Sequence, residues 1–299
     1  MIKRTLYFGN PCYLRKKDMQ LAVEFPDHPG DSSTVPIEDI GVVVLDHPQI
    51  TITNALIIAL NENNTAVLGC DASHLPLGLM LPMYAHHAFT ERMRDQIESS
   101  IPLRKNMWQQ TVEAKIRNQA CLLEKMGVEP GKLSILSQKV KSGDPENIEG
   151  QAASLYWERL FAHIRDFTRN RYGEPPNNLL NYGYSVLRAI IARNLAASGM
   201  ILAVGIHHRN KYNPFCLADD IMEPYRPYVD SVVFDILGDT ENVEELTPAV
   251  KKRLLSIPVI DIFIEDKQSH LMVGTQRTTA SVAACFEGAS RKLLYPEMK

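Results

Sequence analysis

"PPNNLLNYGYSVLRAIIARNLAASG", residues 175–199, sets the character of most of this chain. The stretch opens after two prolines, stops at Gly199 and predicts one long helix. The helical pattern extends to both sides. Downstream, "FCLADDIMEPYRPYVDSVVFDILG" predicts a helix that Pro224 and Pro227 kink or restart. "ELTPAVKKRLLSIP" and "TTASVAACFEGASRKLL" predict two more. Upstream, "VKSGDPENIEGQAASLYWERLFAHIRDF" offers Asp144 as N-cap and Pro145 at the first helical position. "AFTERMRDQIESS" and "RKNMWQQTVEAKIRNQACLLEKMG" show apolar three-and-four spacing, the second ending at Gly127.

Before residue 83 the pattern changes. "RTLYF", "YLRKKDMQLAVEF", "GVVVLD" and "NTAVLGC" are β-branched or aromatic runs punctuated by Gly, Pro, Asn and Asp, and they predict strands. "RKKD" reads as a hairpin turn and "DHPGDSSTVP" as a longer exposed loop. One helix, "TNALIIALNENN" with Thr53 as N-cap, interrupts the strands. The Gly/Pro-punctuated "DASHLPLGLMLP" closes the unit. The predicted fold class is α+β in two domains, a small β domain over residues 1–82 and a larger all-α helical domain over 83–299.

Hydrophobic residues at 45% and charged residues at 22% are ordinary for a soluble globular chain of 299 residues. No run approaches the roughly 20 apolar residues of a membrane span, and "MIKRTLYFGN" lacks a signal core. Cys12, Cys70, Cys121, Cys216 and Cys285 are scattered and never spaced as CxxC, which favours a reduced, cytoplasmic setting. The net charge of −3 is awkward for a nucleic-acid partner. Residues 102–226, however, hold 17 Lys and Arg against 12 Asp and Glu, which permits a basic surface. No phosphate-binding GxxxxGK[ST], no dinucleotide GxGxxG and no GxSxG elbow is present.

The chemistry concentrates in "GIHHRNKYNPFCLADDIMEPYRP", residues 205–227. His207 and His208 precede a helix carrying Asp219, Asp220 and Glu223. Asp220 with Glu223, or Asp219 with Glu223, share a helical face, and like charges at that spacing repel unless a cation lies between them. These acids flank Leu217, Ile221 and Met222, so they lie beside a core stripe. A further inward-facing acid is needed, and Glu149 fits best, in the second turn of its helix among Gly150, Ala152, Ala153 and Ser154. Glu146 is better explained by the helix dipole. An oxygen-rich set with one imidazole suits Mg²⁺ or Mn²⁺ with positions open for water and phosphate. His86 and His87 fit the start of a helix, and Cys216 lacks a second cysteine for zinc.

Taken with these motifs, the chain resembles the CRISPR-associated integrase family of spacer acquisition, over nearly its whole length. "TLYFGNPCYLRKKDMQLAVE", "PIEDIGVVVLDHPQITIT" and "NALIIALNENNTAVLGCD" resemble the family's N-terminal β-sandwich, which implies dimerisation through residues 1–82. "NIEGQAASLYW" resembles the helix bearing the catalytic glutamate, which puts that role on Glu149. "PPNNLLNYGYSVL" resembles a family helix start, with Asn177 as N-cap. The histidine-loop-acidic-helix motif falls on His208, Asp220 and Glu223. His207 and Asp219 depart from the family pattern. "KIRNQACLL" and "RKLLYPEM" look most like the subgroup that accompanies a single large RNA-guided nuclease.

The resemblance implies a homodimer, two of which join a dimer of a small ferredoxin-like CRISPR-associated partner in a 4:2 complex, away from any membrane. It implies insertion of short foreign DNA duplexes, the protospacers, into a repeat array by 3′-OH transesterification. Glu149, His208 and Glu223 would be catalytic metal ligands, with Asp220 as a fourth or outer-shell group. Arg209, Lys211 and Arg226 would read the DNA backbone, with Lys115 and Arg117 behind them. Two other readings use the same residues: a metal-dependent nuclease or phosphodiesterase acting on branched or single-stranded DNA without integration, and a non-catalytic scaffold for DNA ends.

Overall fold

The structure, a computed structural model, describes residues 3–26, 32–83, 86–170, 172–239 and 244–299. The chain divides into two compact units, Met1–His87 and Ala88–Lys299. The first contains β1 (Arg4–Phe8), β2 (Cys12–Lys17), β3 (Gln20–Glu24), β4 (Ser32–Pro36), β5 (Ile40–Leu45), β6 (Ile50–Ile52), α1 (Asn54–Glu62), β7 (Ala66–Cys70) and β8 (Pro76–Met80). They form two four-stranded sheets, β1-β5-β7-β8 and β4-β3-β2-β6. The β-branched run of β5 is buried along nearly its whole length and pairs in parallel with β1 and β7, as expected of a strand covered on both faces. Cys12, Leu14, Leu21 and Val23 of one sheet join Ile40, Val43 and Val67 of the other, with Leu56 and Leu60 of α1, in one sandwich core.

Two strands lie outside the predicted strand runs, one of them in a stretch read as a loop. β4 occupies the second half of "DHPGDSSTVP", pairing antiparallel with β3 from Glu24↔Ser32 to Gln20↔Pro36. Residues 27–31 of that stretch lie outside the described residues. β8 occupies "PLGLM" at the sheet edge, where Pro76 lacks only an N–H that an edge can do without. In both, tertiary pairing overrides turn-forming composition.

The second unit contains α2 (Phe89–Glu98), α3 (Ile101–Lys125), α4 (Leu133–Lys139), α5 (Ile148–Leu160), α6 (Asn177–Ala197), α7 (Cys216–Met222), α8 (Arg226–Asp239), α9 (Pro248–Leu254), a hairpin of β9 (Asp261–Ile264) and β10 (Lys267–His270), and α10 (Leu271–Phe286). The hairpin qualifies the all-α expectation, and α4 is a helix that the sequence reading passes over. Helix α6 is the buried axis, and Gly183 lets it approach α8: a Cβ there would stand 2.5 Å from Val229. Pro224 sits in a single tight turn, Glu223–Tyr225, between α7 and α8. Asn177 is the first helical residue and not the cap. Its amide instead ties down the preceding loop, accepting from Asn170 N–H and Arg169 and donating to the Thr168 carbonyl. No helix among the described residues is long and apolar enough to cross a membrane.

Candidate metal centre

Helix α5 starts later than the sequence predicts, because Asn147 in a left-handed conformation caps it, accepting from Gly150 N–H. Asp144 still serves the same end, accepting from the N–H groups of Ile148 and Glu149 at 2.8 and 2.9 Å. Glu149 therefore sits in the first turn and not the second. Two helical turns separate Trp108 from Lys115 on α3, so both face the same way. Lys115, 8% exposed, pairs with Glu149 and with Glu223 Oε2, the latter at 2.6 Å. Arg226 donates to the other Glu223 oxygen at 2.8 Å while stacking 4.5 Å over the Tyr184 ring. Burial alone would raise the Glu223 pKa; Arg226 and Lys115 outweigh it and hold the carboxyl down at about 2. Burial likewise works against the Lys115 charge, but Glu223 and Glu149 keep it protonated.

Asp220 is fully buried and differently engaged. Its Oδ2 accepts from the N–H groups of Ile206 and His207 at 2.7 and 2.9 Å, and its Oδ1 from His208 N–H at 3.2 Å. Nδ1 of His208 donates to that same Oδ1 at 2.5 Å, which fixes the tautomer and directs Nε2 outward. Hydrogen bonding to Asp220 raises the His208 pKa against the effect of burial. Gly205 makes the clamp possible, since a Cβ would lie 2.6 Å from both Asp220 Oδ2 and the His208 carbonyl oxygen. His207 goes elsewhere: its ring stacks flat on Trp108, centroids 4.1 Å apart and planes 5° off parallel, and burial lowers its pKa. Asp219 pairs with Arg188 at 2.6 Å and accepts from Asn213 at 2.7 Å.

The five basic residues read as DNA contacts divide by environment. Arg209 and Lys211 are exposed on the loop after His208, Lys211 lying 4.8 Å over the exposed Tyr212 ring. Lys115 and Arg226 are turned inward on the carboxylates. Arg117 lies with Glu113 beside a cavity of about 540 Å³ shared with the C-terminal segment Lys292–Met298. Sequence reasoning passes over Gly205 and Asn118, and it takes Trp108 only as a core residue of its helix, where it is indeed buried. Asn118 donates to the carbonyls of Pro224 and Pro296 and accepts from Met298 N–H, pinning the turn beside Glu223. Trp108 and Lys115, seven apart on one helix, left a signal in their spacing; Asn118 left none.

Residues 6–248 match the family model described as CRISPR associated protein Cas1. The chain belongs to the Cas1 family. The CRISPR-associated endonuclease Cas1 of Neisseria meningitidis is 36% identical over 301 residues, covering 100% of this chain and 97% of that one. Among solved structures, a casposase bound to integration product superposes with a TM-score of 0.82 at 20% identity, over 100% of this chain and 95% of that one. The Cas1 fold recurs in a Cas6-RT-Cas1–Cas2 complex, with TM-score 0.75 and 20% identity, over 99% of this chain and 36% of that one.

Among the described residues, no three His, Cys, Asp or Glu side chains converge closely enough to ligate an ion as they stand. The Lys115 ammonium is in contact with both Glu149 and Glu223. Glu223 Oε2 is a buried carboxylate oxygen whose partner is the Lys115 ammonium at 2.6 Å. That oxygen, an acid facing it across Lys115 and an imidazole whose Nε2 is turned away from Asp220 form a donor set that fits a hard divalent cation.

Proposed function

We propose that this protein is a divalent-metal-dependent DNA endonuclease and integrase, inserting short duplexes into a CRISPR repeat array. The observation that carries the reading is the pair of acids from α5 and the α7–α8 turn, Glu149 and Glu223, held on one positive charge, with the Asp220-oriented His208 on the loop before α7. Glu149, Glu223 and His208 Nε2 are the proposed ligands. Asp220 is assigned to orienting His208, because its oxygens already accept four hydrogen bonds. Mg²⁺ or Mn²⁺, when bound, neutralises charge on a phosphodiester and stabilises the leaving oxygen.

In the reaction, a 3′-hydroxyl oxygen bonds to phosphorus as its proton is lost, and the opposite P–O bond breaks in line with it. The departing 3′ oxygen takes up a proton, so one phosphodiester replaces another. The protein's share is positioning. The tautomer fixed by Asp220 keeps His208 Nε2 available, Arg226 and Asn118 hold Glu223, and Arg209 and Lys211 meet the DNA backbone. Lys115 and Arg226 act on the carboxylates and not on DNA in this reading, and Arg117 is at most a peripheral contact.

The family membership, and relatives named for an endonuclease, a casposase with its integration product and a Cas1–Cas2 complex, support this reading. We further propose that residues 1–82 dimerise the chain, that two dimers join a small ferredoxin-like partner dimer, and that the assembly works in the cytoplasm. The test is to incubate the protein, with and without that partner, with a short 3′-OH duplex, a supercoiled repeat plasmid and Mn²⁺. Strand-joined product that Glu149→Gln abolishes is the expected result. Cutting without joining means a nuclease, and DNA binding without either means a scaffold.

A further inference from the structure

We propose that Lys115 is a resident counter-ion of the metal-free centre, holding Glu149 and Glu223 in place and leaving its seat when a divalent ion binds. The inference rests on the metal-site reading above. Two carboxylates from α5 and the α7–α8 turn cannot share a largely buried pocket without a positive charge between them. In this structure that charge is the Lys115 ammonium, in contact with both acids.

The two cations at Glu223 differ in how easily they can be displaced. Arg226 is held on both sides, by a hydrogen bond to Oε1 and by the face of Tyr184. Lys115 donates to Glu149 and meets Glu223 Oε2 at 2.6 Å, but no ring stacks on its ammonium as Tyr184 does on Arg226. A lysine ammonium on a four-carbon stem swings out readily, whereas a guanidinium fixed by stacking does not. The atom that Lys115 touches is also the oxygen proposed to ligate the metal, so both cannot use it at once. A seated ammonium and a bound ion are therefore competing states, and metal affinity is set by the difference between them. Apo stability and metal affinity should then move in opposite directions when Lys115 is removed. A lysine that merely packs in the core would lower the first without raising the second.

The experiment measures thermal stability in EDTA and Mn²⁺ affinity by calorimetry for the full chain, K115M and H208A. K115M should melt several degrees below wild type without metal, recover with Mn²⁺, and bind Mn²⁺ at least about tenfold more tightly. Equal or weaker Mn²⁺ binding by K115M overturns the inference. H208A reports on the underlying site, because undiminished Mn²⁺ binding there overturns the metal-site reading itself. Loss in H208A with no gain in K115M overturns only the role of Lys115. Should K115M not fold, acylation of the wild-type lysines read by peptide mass spectrometry decides the matter. Mn²⁺ should raise modification at Lys115 several-fold over EDTA, and unchanged or reduced labelling refutes displacement.

Discussion

Asp220 and Glu223 stand three residues apart on adjoining turns, both buried and both acidic, yet they are satisfied in opposite ways. Asp220 is surrounded by the backbone N–H groups of Ile206, His207 and His208 and by one imidazole nitrogen. Glu223 is surrounded by the side-chain cations Lys115 and Arg226. Backbone donors are part of the chain path and cannot leave without unfolding the loop, whereas an ammonium on a flexible stem can. The difference separates a carboxylate that builds the site from one that can exchange partners within it.

The comparison is broken most forcefully at Asp220. Asp220→Ala would strand three backbone donors and free His208, at about 4 kcal/mol of stability, and excess Mn²⁺ should restore neither fold nor activity. Chemical denaturation with and without metal checks this. Gly205→Ala attacks the same clamp from the backbone side, and its Cβ, 2.6 Å from Asp220 Oδ2, should cost about 2 kcal/mol. Glu223→Gln should cost less stability but abolish strand joining. If Asp220→Ala were as stable as Glu223→Gln, the two acids would not differ as described.

Acid titration sharpens the contrast along the same helical run. Glu223 is held at about 2, so its stabilising share is complete above the ordinary carboxylate range and is lost as pH falls from about 4.5 towards 2. Asp230 behaves in reverse. Burial raises its pKa to about 6, although the hydroxyls of Tyr184 and Tyr156 donate to it. The folded protein thus holds that proton more tightly, and stability falls as pH rises from about 4 to 6. Metal-free protein should gain stability on acidification through the upper window and lose it through the lower. Each change is on the order of 3 kcal/mol. Asp230→Asn should flatten the first limb and Glu223→Gln the second, as read by urea midpoints across pH.

How far the sequence carries depends on whether a residue acts through local pattern or distant geometry. Helix α6 announces itself between Pro176 and Gly199, and the strand runs of the first unit announce the sandwich. His208, Asp220 and Glu223 share one motif, whereas small neighbours make Glu149 only a candidate and the family resemblance gives it its expected role. Residue pattern alone does not separate His207 from His208, and only the family resemblance favours the second; in the fold Asp220 takes His208 while Trp108, about a hundred positions earlier, takes His207. Lys115 reads as one more exposed base, since its partners lie on two other segments. Strands β4 and β8 are hidden for a related reason. Their composition is that of turns, and only the neighbouring strand supplies a ladder to join.

The smallest effects belong to Arg209 and Lys211, and they test whether the loop that carries His208 is also the surface DNA meets. Both side chains are exposed, and no hydrogen bond of the His208–Asp220 clamp involves either one. Replacing each with Ala should leave the denaturation midpoint unchanged within about 0.5 kcal/mol. Binding to a short duplex should weaken, with the slope of log K against log salt falling by about 1 per residue removed. Lys115 gives the internal contrast, because an ammonium buried on two carboxylates contributes no released counter-ion. In EDTA, where the ammonium is seated, its removal should leave the salt slope unchanged, and it should alter metal affinity. A K115M slope that drops as much as that of K211A would place Lys115 on the DNA and end the distinction between a cation that serves the carboxylates and one that serves the phosphates.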